Sequence, residues 1–333
     1  MRVRRTEAAR RRTLCGRNPM RLQRAMNAVA VAFLAWVAPA VAEQKYKGFE
    51  RGEALIAAEE LKKLIDAKDP KLVVLAVVEP MSYRAGHVPG SINVWRPDYE
   101  LKVGQPYPFD GMLLESEAFQ DFARGLGIDN DSKVVVYDEK YDAMRVWWAF
   151  YLYGKTDVRV LDGGYAAWET AGHPGDLSLT RGSADPRGDF VAKPRRSGWV
   201  AQMADVWRAQ TSKDVQVWDN REPDEWSGAE KKGNARRAGR IPWAVFQSWK
   251  EYRLQVDGKP AGFKPAAEIQ QVIDKFKMDR GKEHIFYCHS GVRSTTPVFV
   301  LYLMGWDVDR LHNYDGSWLE WSYHEENPIA TGQ

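Results

Sequence analysis

Two kinds of apolar run alternate along the chain. Short runs rich in β-branched residues, Leu72–Val77, Val134–Tyr137 and Val158–Leu161, predict buried strands. Longer stretches of helical character separate them, among them Glu53–Ala67 and Val146–Leu152. The pattern returns in the second half, with strands predicted at Val215–Trp218, His284–Tyr287 and Val308–Leu311 and a helix at Val298–Leu303. Continuous apolar strands between helices predict an α/β architecture, each parallel sheet flanked by helices on both faces.

The two halves are copies. Arg84-Ala85-Gly86-His87-Val88-Pro89 returns as Arg237-Ala238-Gly239-Arg240-Ile241-Pro242, and Asp162-Gly163 with Trp168 returns as Asp315-Gly316 with Trp321, both at an offset of 153. Gly154, closing the first apolar helix, corresponds to Gly305 after the second. That period is far too long for a solenoid repeat and predicts two tandem domains of one kind. The predicted organisation is a leader over residues 1–42, a first domain over 49–175, a linker over 176–197 and a second domain over 198–326. The linker is rich in Gly, Pro, Arg and Ser.

A chain of 333 residues, 44% hydrophobic, has room for two such cores. Its net charge of +3 comes largely from the first 24 residues, so no nucleic-acid surface is expected. Arg21 and Arg24, the apolar run Ala28–Ala38 and Ala40-Val41-Ala42 have the layout of a cleavable signal peptide cut after Ala42, which predicts a periplasmic or secreted protein. Twin-arginine export through Arg11-Arg12 and a mitochondrial transit peptide are the alternatives. No later stretch is long and apolar enough to span a membrane. The six histidines lack ligand spacing, and no phosphate-binding glycine loop appears, so neither a metal nor a nucleotide is expected.

Of the two cysteines, Cys15 falls in the leader, which leaves one thiol in the mature chain, Cys288. A lone thiol is either a reactive group or a small buried hydrophobe. The repeat separates these readings. The strand Val134–Tyr137 is followed by Asp138, whereas the matching strand is followed by Cys288-His289-Ser290-Gly291-Val292-Arg293-Ser294 and then an apolar helix with Pro297 near its start. A parallel strand that ends in a glycine-containing loop opening a helix collects unpaired backbone N–H groups. Gly291 permits the tight turn, and the resulting field lowers a thiol's pKa. Arg293 adds positive charge at the rim of such a loop. This environment suits a cysteine that attacks an anion.

The segment Tyr287–Ser294, YCHSGVRS, resembles a rhodanese active-site loop. Arg84–Val94 and Val160–Trp168 resemble that family's two signatures, and Asp219-Asn220-Arg221 through Glu225-Trp226 resembles its strand-end element facing the loop. The resemblance spans about residues 50 to 325. It implies an inactive first domain, with Asp138 in place of cysteine, and a catalytic second one. It further implies thiosulfate sulfurtransferase chemistry without a cofactor. In that scheme the Cys288 thiolate takes the outer sulfur of thiosulfate or a related persulfide donor, sulfite leaves, and a covalent cysteine persulfide passes the sulfur to cyanide, a small thiol or a protein acceptor. The site residues so implied are Cys288, the loop residues His289, Ser290, Gly291, Val292, Arg293 and Ser294, Arg221 as a second anion contact, and Asp219 and Glu225 in support. His289, Arg293 and Glu225 depart from the mercaptopyruvate-specific pattern, which carries Gly, Thr and Arg there. The alternatives are a non-catalytic sulfur carrier or partner-binding module, a 3-mercaptopyruvate sulfurtransferase, and a cysteine-dependent phosphatase. The last requires one more residue between Cys288 and Arg293.

Overall fold

The computed structural model describes residues 45–104, 106–178, 187–195 and 197–332. The leader, with Cys15 and the proposed cleavage site after Ala42, lies outside the described residues, as does part of the linker. The first half runs β1 (Leu55–Ile56), α1 (Ala58–Asp66), β2 (Leu72–Val77), α2 (Pro80–Ala85), β3 (Ile92–Val94), α3 (Arg96–Tyr99), α4 (Ser116–Gly125), β4 (Lys133–Tyr137), α5 (Asp142–Leu152), β5 (Val158–Leu161) and α6 (Gly164–Thr170). The second runs β6 (Val200–Ala201), α7 (Met203–Ala209), β7 (Val215–Asp219), α8 (Pro223–Ser227), β8 (Val245–Phe246), β9 (Arg253–Val256), β10 (Lys259–Phe263), α9 (Ala266–Lys275), β11 (Glu283–Tyr287), α10 (Thr295–Leu303), β12 (Leu311–Tyr314) and α11 (Ser317–Tyr323).

Each half builds a five-stranded parallel sheet. The strand orders, β1-β5-β4-β2-β3 and β6-β12-β11-β7-β8, are the same order twice. The antiparallel hairpin β9–β10 is extra to the second half. Alternation along the strands divides the apolar side chains between layers. Leu75 and Val77 of β2, with Val134 and Val136 of β4, face one layer, while Val74, Ala76, Val135 and Tyr137 face the other. In the second half Trp218 and Phe286 face the first of these layers, and Val215, Val217, Ile285 and Tyr287 face an outer one.

The layer common to both halves is built on α5 and α10. Every residue of α5 is buried, as are all but Tyr302 of α10. A helix buried on every face has no solvent face to present and must be covered on every side. The two helices cover each other: Trp147 packs edge-on to Phe299 at 4.6 Å, and the Tyr151 and Tyr302 hydroxyls are hydrogen-bonded at 2.9 Å. One continuous core therefore joins the copies.

Three expectations differ from the structure. The helix expected over Glu53–Ala67 is interrupted: Leu55 and Ile56 pair with Val160 and Leu161, and the helix begins at Ala58. The strand expected at Val308–Leu311 begins at Leu311, because the Asp307 side chain caps the Asp309 N–H and holds Val308–Arg310 in a 3-10 turn. The linker also packs against the first half, with Phe190 buried and its carbonyl held by Arg124 Nε at 2.7 Å. Among the described residues no helix is long and apolar enough to cross a membrane.

Candidate active site

Strand β11 lies between β7 and β12, so the residue after Tyr287 emerges at the carboxyl end of the sheet's central strand. That residue is Cys288. Its backbone is anchored from α11: the Cys288 N–H donates to Ser317 Oγ at 3.2 Å, and Trp318 N–H donates to the Cys288 carbonyl at 3.1 Å. Cys288 is 1% exposed, yet the surroundings of its sulfur are polar. Ser294 Oγ lies 3.6 Å from Sγ, and the backbone amides of Ser290 and Ser294 favour its anion. Burial pushes the thiol up; the Arg293 guanidinium, the Ser294 hydroxyl and those two amides outweigh it, so the thiol sits below its ordinary value. The loop can close this tightly because Gly291 takes φ +73°, and a Cβ there would lie 2.7 Å from the Asp315 carbonyl oxygen.

Arg293 is not a free cation at the rim. It is buried and forms a two-pronged pair with Glu225, Nη1 to Oε2 at 2.6 Å and Nη2 to Oε1 at 2.9 Å. Burial raises the Glu225 carboxyl and Arg293 more than reverses it, to about 2. Arg221 is likewise engaged. Its Nε and Nη2 bind Asp219, Nη2 also reaches the Gly239 carbonyl at 2.8 Å, and its guanidinium lies over Trp318 at 4.6 Å. Asp219 also accepts the Tyr287 hydroxyl at 2.6 Å. These residues support the strand behind the loop. His289 is half-buried, its Nε2 3.2 Å from Asn234 Oδ1, and burial followed by the Arg293 charge pushes it down to about 4, so it is neutral at pH 7. Ser290 is half-buried, and Val292 and Ser294 are buried.

The first half covers this loop. A Cβ on Gly111 would lie 2.7 Å from Ser290 Cβ, and Asn234, the partner of His289, also donates to Asp110. Leu113 N–H donates to Asp315 Oδ2 at 3.1 Å. Arg145 of α5 binds Asp315 Oδ1 at 2.5 Å and donates to the Gly291 and Gly111 carbonyls at 3.2 and 2.9 Å.

The matching position of the first half holds Asp138, which is buried and accepts the Ala143 N–H at 2.7 Å. Burial raises its carboxyl to about 6, with Arg253 acting against the rise. His87, buried in that half, stacks on Tyr83 at 3.7 Å and has Nδ1 2.8 Å from the Tyr83 carbonyl. Arg237, at the head of the second copy of the repeated segment, donates to carbonyls of Trp321, Ser322, His324, Glu325 and Asn327 and so closes the end of α11.

Sequence reasoning missed Asn313, Ser317, Asp315 and Arg145. Asp315 belongs to the repeated Asp-Gly and was visible as a motif, though not as a site residue. Asn313 and Ser317 flank it. Arg145 has no signal in the sequence near Cys288, because it comes from the other copy.

The family model described as a Rhodanese-like domain matches twice, at residues 57–171 and 202–324. The chain is 30% identical over 305 residues to the sulfur carrier protein TtuD of Thermus thermophilus, covering 86% of this chain and 99% of that one. It is 31% identical over 272 residues to a thiosulfate sulfurtransferase of Corynebacterium glutamicum, with 78% and 85% covered. Against the 3-mercaptopyruvate sulfurtransferase of Escherichia coli K12 it is 30% identical over 251 residues, with 74% and 84% covered. Among solved structures, the anaerobic ergothioneine biosynthesis enzyme from Chlorobium limicola in complex with trimethyl histidine aligns with a TM-score of 0.73 at 25% identity, over 86% of this chain and 72% of that chain. With two parallel sheets of one topology, a cysteine loop on the second and these matches across both halves, the chain belongs to the rhodanese family of sulfurtransferases as a tandem of two Rhodanese-like domains.

Proposed function

We propose that this protein moves a sulfane sulfur from thiosulfate, or a related persulfide donor, to a thiophilic acceptor through a persulfide on Cys288. The observation that carries the reading is the sulfur's setting: two backbone amides, a hydroxyl and the Arg293 charge favour its anion. The Cys288 thiolate attacks the outer sulfur of thiosulfate. A new S–S bond forms, the old one breaks, and its electron pair leaves with sulfite. A second nucleophile then attacks the outer sulfur of the persulfide, and the electron pair of that bond returns the Cys288 thiolate. The loop amides stabilise negative charge at both stages. The scheme calls on no cofactor.

Ser294 supplies the proton bookkeeping. Asn313 Nδ2 donates to the Gly291 carbonyl at 3.1 Å, which turns its Oδ1 toward the Ser294 hydroxyl at 2.6 Å. An amide oxygen only accepts and a hydroxyl has one proton. With the neutral thiol, Ser294 donates to Asn313 and is free to accept the S–H; with the thiolate, its proton turns to sulfur.

A buried sulfur, a loop carrying His289 and Arg293, and Glu225 of α8 paired to that arginine favour a small anionic donor over mercaptopyruvate. The test is a donor panel of thiosulfate, mercaptopyruvate and glutathione persulfide. The Cys288 adduct is read by intact mass, and turnover to cyanide is measured in parallel. A gain of one sulfur atom from thiosulfate, abolished in Cys288→Ala, is expected. An unmodified mass after every donor rejects the reading. A stable adduct that cyanide does not discharge supports instead a sulfur carrier, the role in the name of the Thermus relative. We further propose export behind the leader, to be checked by an N-terminus at Glu43 in protein recovered from the periplasmic fraction.

A further inference from the structure

The Cys288 loop is held from two sides. From its own half, Asn313 reaches the Gly291 carbonyl. From the first half, Arg145 reaches the same carbonyl across a sequence separation of 146 residues. Arg145 is fully buried, its guanidinium lies 5.0 Å from the centre of the Trp148 ring, and it donates to Gly291 O and Gly111 O while forming an ion pair with Asp315 Oδ1. Gly111 is the residue packed on Ser290, and Asp315 is the residue whose carbonyl blocks any side chain at Gly291. One planar fork thus ties the cover, the loop and the start of α11 together. A planar guanidinium suits this, since its donors diverge at fixed angles.

The consequence for sulfur follows from peptide geometry. In a trans peptide the N–H points opposite to the C=O. Holding the Gly291 carbonyl toward Arg145 and Asn313 therefore fixes the Val292 N–H the other way, and with it the path of the chain between the two amides, Ser290 and Ser294, that favour the Sγ anion. We infer that Arg145, supplied by the non-catalytic half, is a positioning residue for the Cys288 loop and sets how well its amides hold the sulfur anion. The first copy, which has Asp138 where the second has Cys288, forms part of the second copy's site. This rests on Cys288 being the sulfur-bearing residue, as proposed above.

The experiment measures iodoacetamide alkylation of Cys288 against pH, together with persulfide loading from thiosulfate, in the full chain. Arg145→Met is expected to move the midpoint of alkylation up by about one pH unit and to cut loading at pH 7 by about 10-fold. Since that change leaves Asp315 with a weaker partner, Arg145→Met/Asp315→Asn removes the buried charge as well and is expected to show the same displaced midpoint. Arg145→Lys keeps a cation for Asp315 and loses the fork; a smaller displacement in the same direction is expected. A wild-type midpoint in the double variant or in Arg145→Lys overturns the inference and reduces Arg145 to a partner for Asp315. Wild-type protein that is neither alkylated at Cys288 nor loaded with sulfur fails the proposed function instead, so the two failures are distinct.

Discussion

At the scale of single residues, the candidate site is governed by paired charges. Arg293 and Glu225 are both buried, and each is tolerable there because of the other. Removing one leaves an uncompensated charge: Glu225→Gln is expected to cost about 3–5 kcal/mol. The same pair sets an acid limit. Glu225 is depressed to about 2 from an ordinary 4.5, so its contribution is full above pH 4.5 and is lost as pH falls toward 2. A gap of that size is worth about 3 kcal/mol. Thermal melts of the wild type and Glu225→Gln should therefore differ most at neutral pH and converge near pH 2. A constant difference across that range would show that the carboxylate charge is not what stabilises the pair.

At the scale of elements, the strand β11, the loop and α10 form one unit whose shape depends on Gly291. Its φ of +73° and the Asp315 oxygen beside it exclude a side chain on two independent grounds. Gly291→Ala is expected to cost about 1–3 kcal/mol. The loop, more than the core, absorbs the strain, so sulfur loading of Cys288 should fall by about 10-fold or more, each factor of ten being worth 1.36 kcal/mol. Loading kinetics beside a melting curve check this, and unchanged loading with a lowered melting temperature would place the strain elsewhere. The repeat explains a misplaced boundary in the next strand. Val158–Leu161 plus 153 lands on Leu311–Tyr314, the observed β12, so the repeat carried the register that local apolarity at Val308 concealed.

For the molecule as a whole, each copy places an arginine in the other. Arg145 of the first half reaches the Cys288 loop. Arg253, from the inserted hairpin, lies buried in contact with Met144, close enough for its charge to act on Asp138. The hairpin is pinned further by Phe263 N–H to Asp162 at 2.8 Å. Asp138 stands in the first copy where the second has Cys288. Its carboxyl is raised to about 6 from 3.8, so the folded state binds its proton more tightly than the unfolded chain does. The penalty is full above pH 6 and vanishes below about pH 3.8. Asp138→Asn keeps an acceptor for the Ala143 N–H and drops the charge. It should gain up to about 3 kcal/mol at pH 8, and the gain should disappear in melts near pH 4. A variant less stable at pH 8 would mean that Asp138 is held there as an anion.

The sequence by itself determined the duplication, the parallel sheets and which thiol follows a buried strand and opens a helix. These are consequences of local patterning: β-branched runs bury as strands, all-apolar runs bury as helices, and one glycine-bearing loop opens one of them. It also carried the candidates Asp219, Arg221, Glu225 and Arg293 as a motif. Only the tertiary structure decided how their charges are spent. Arg293 could be read as a free cation because its partner lies 68 residues away, and Arg145 could not be read at all because its target lies 146 residues away. The two-residue edge strands β1 and β6 escaped for the opposite reason: they are too short to show a period and are strands only because a neighbour pairs with them. Periodicity records that a position is buried; which groups meet there is settled when the two copies close on each other.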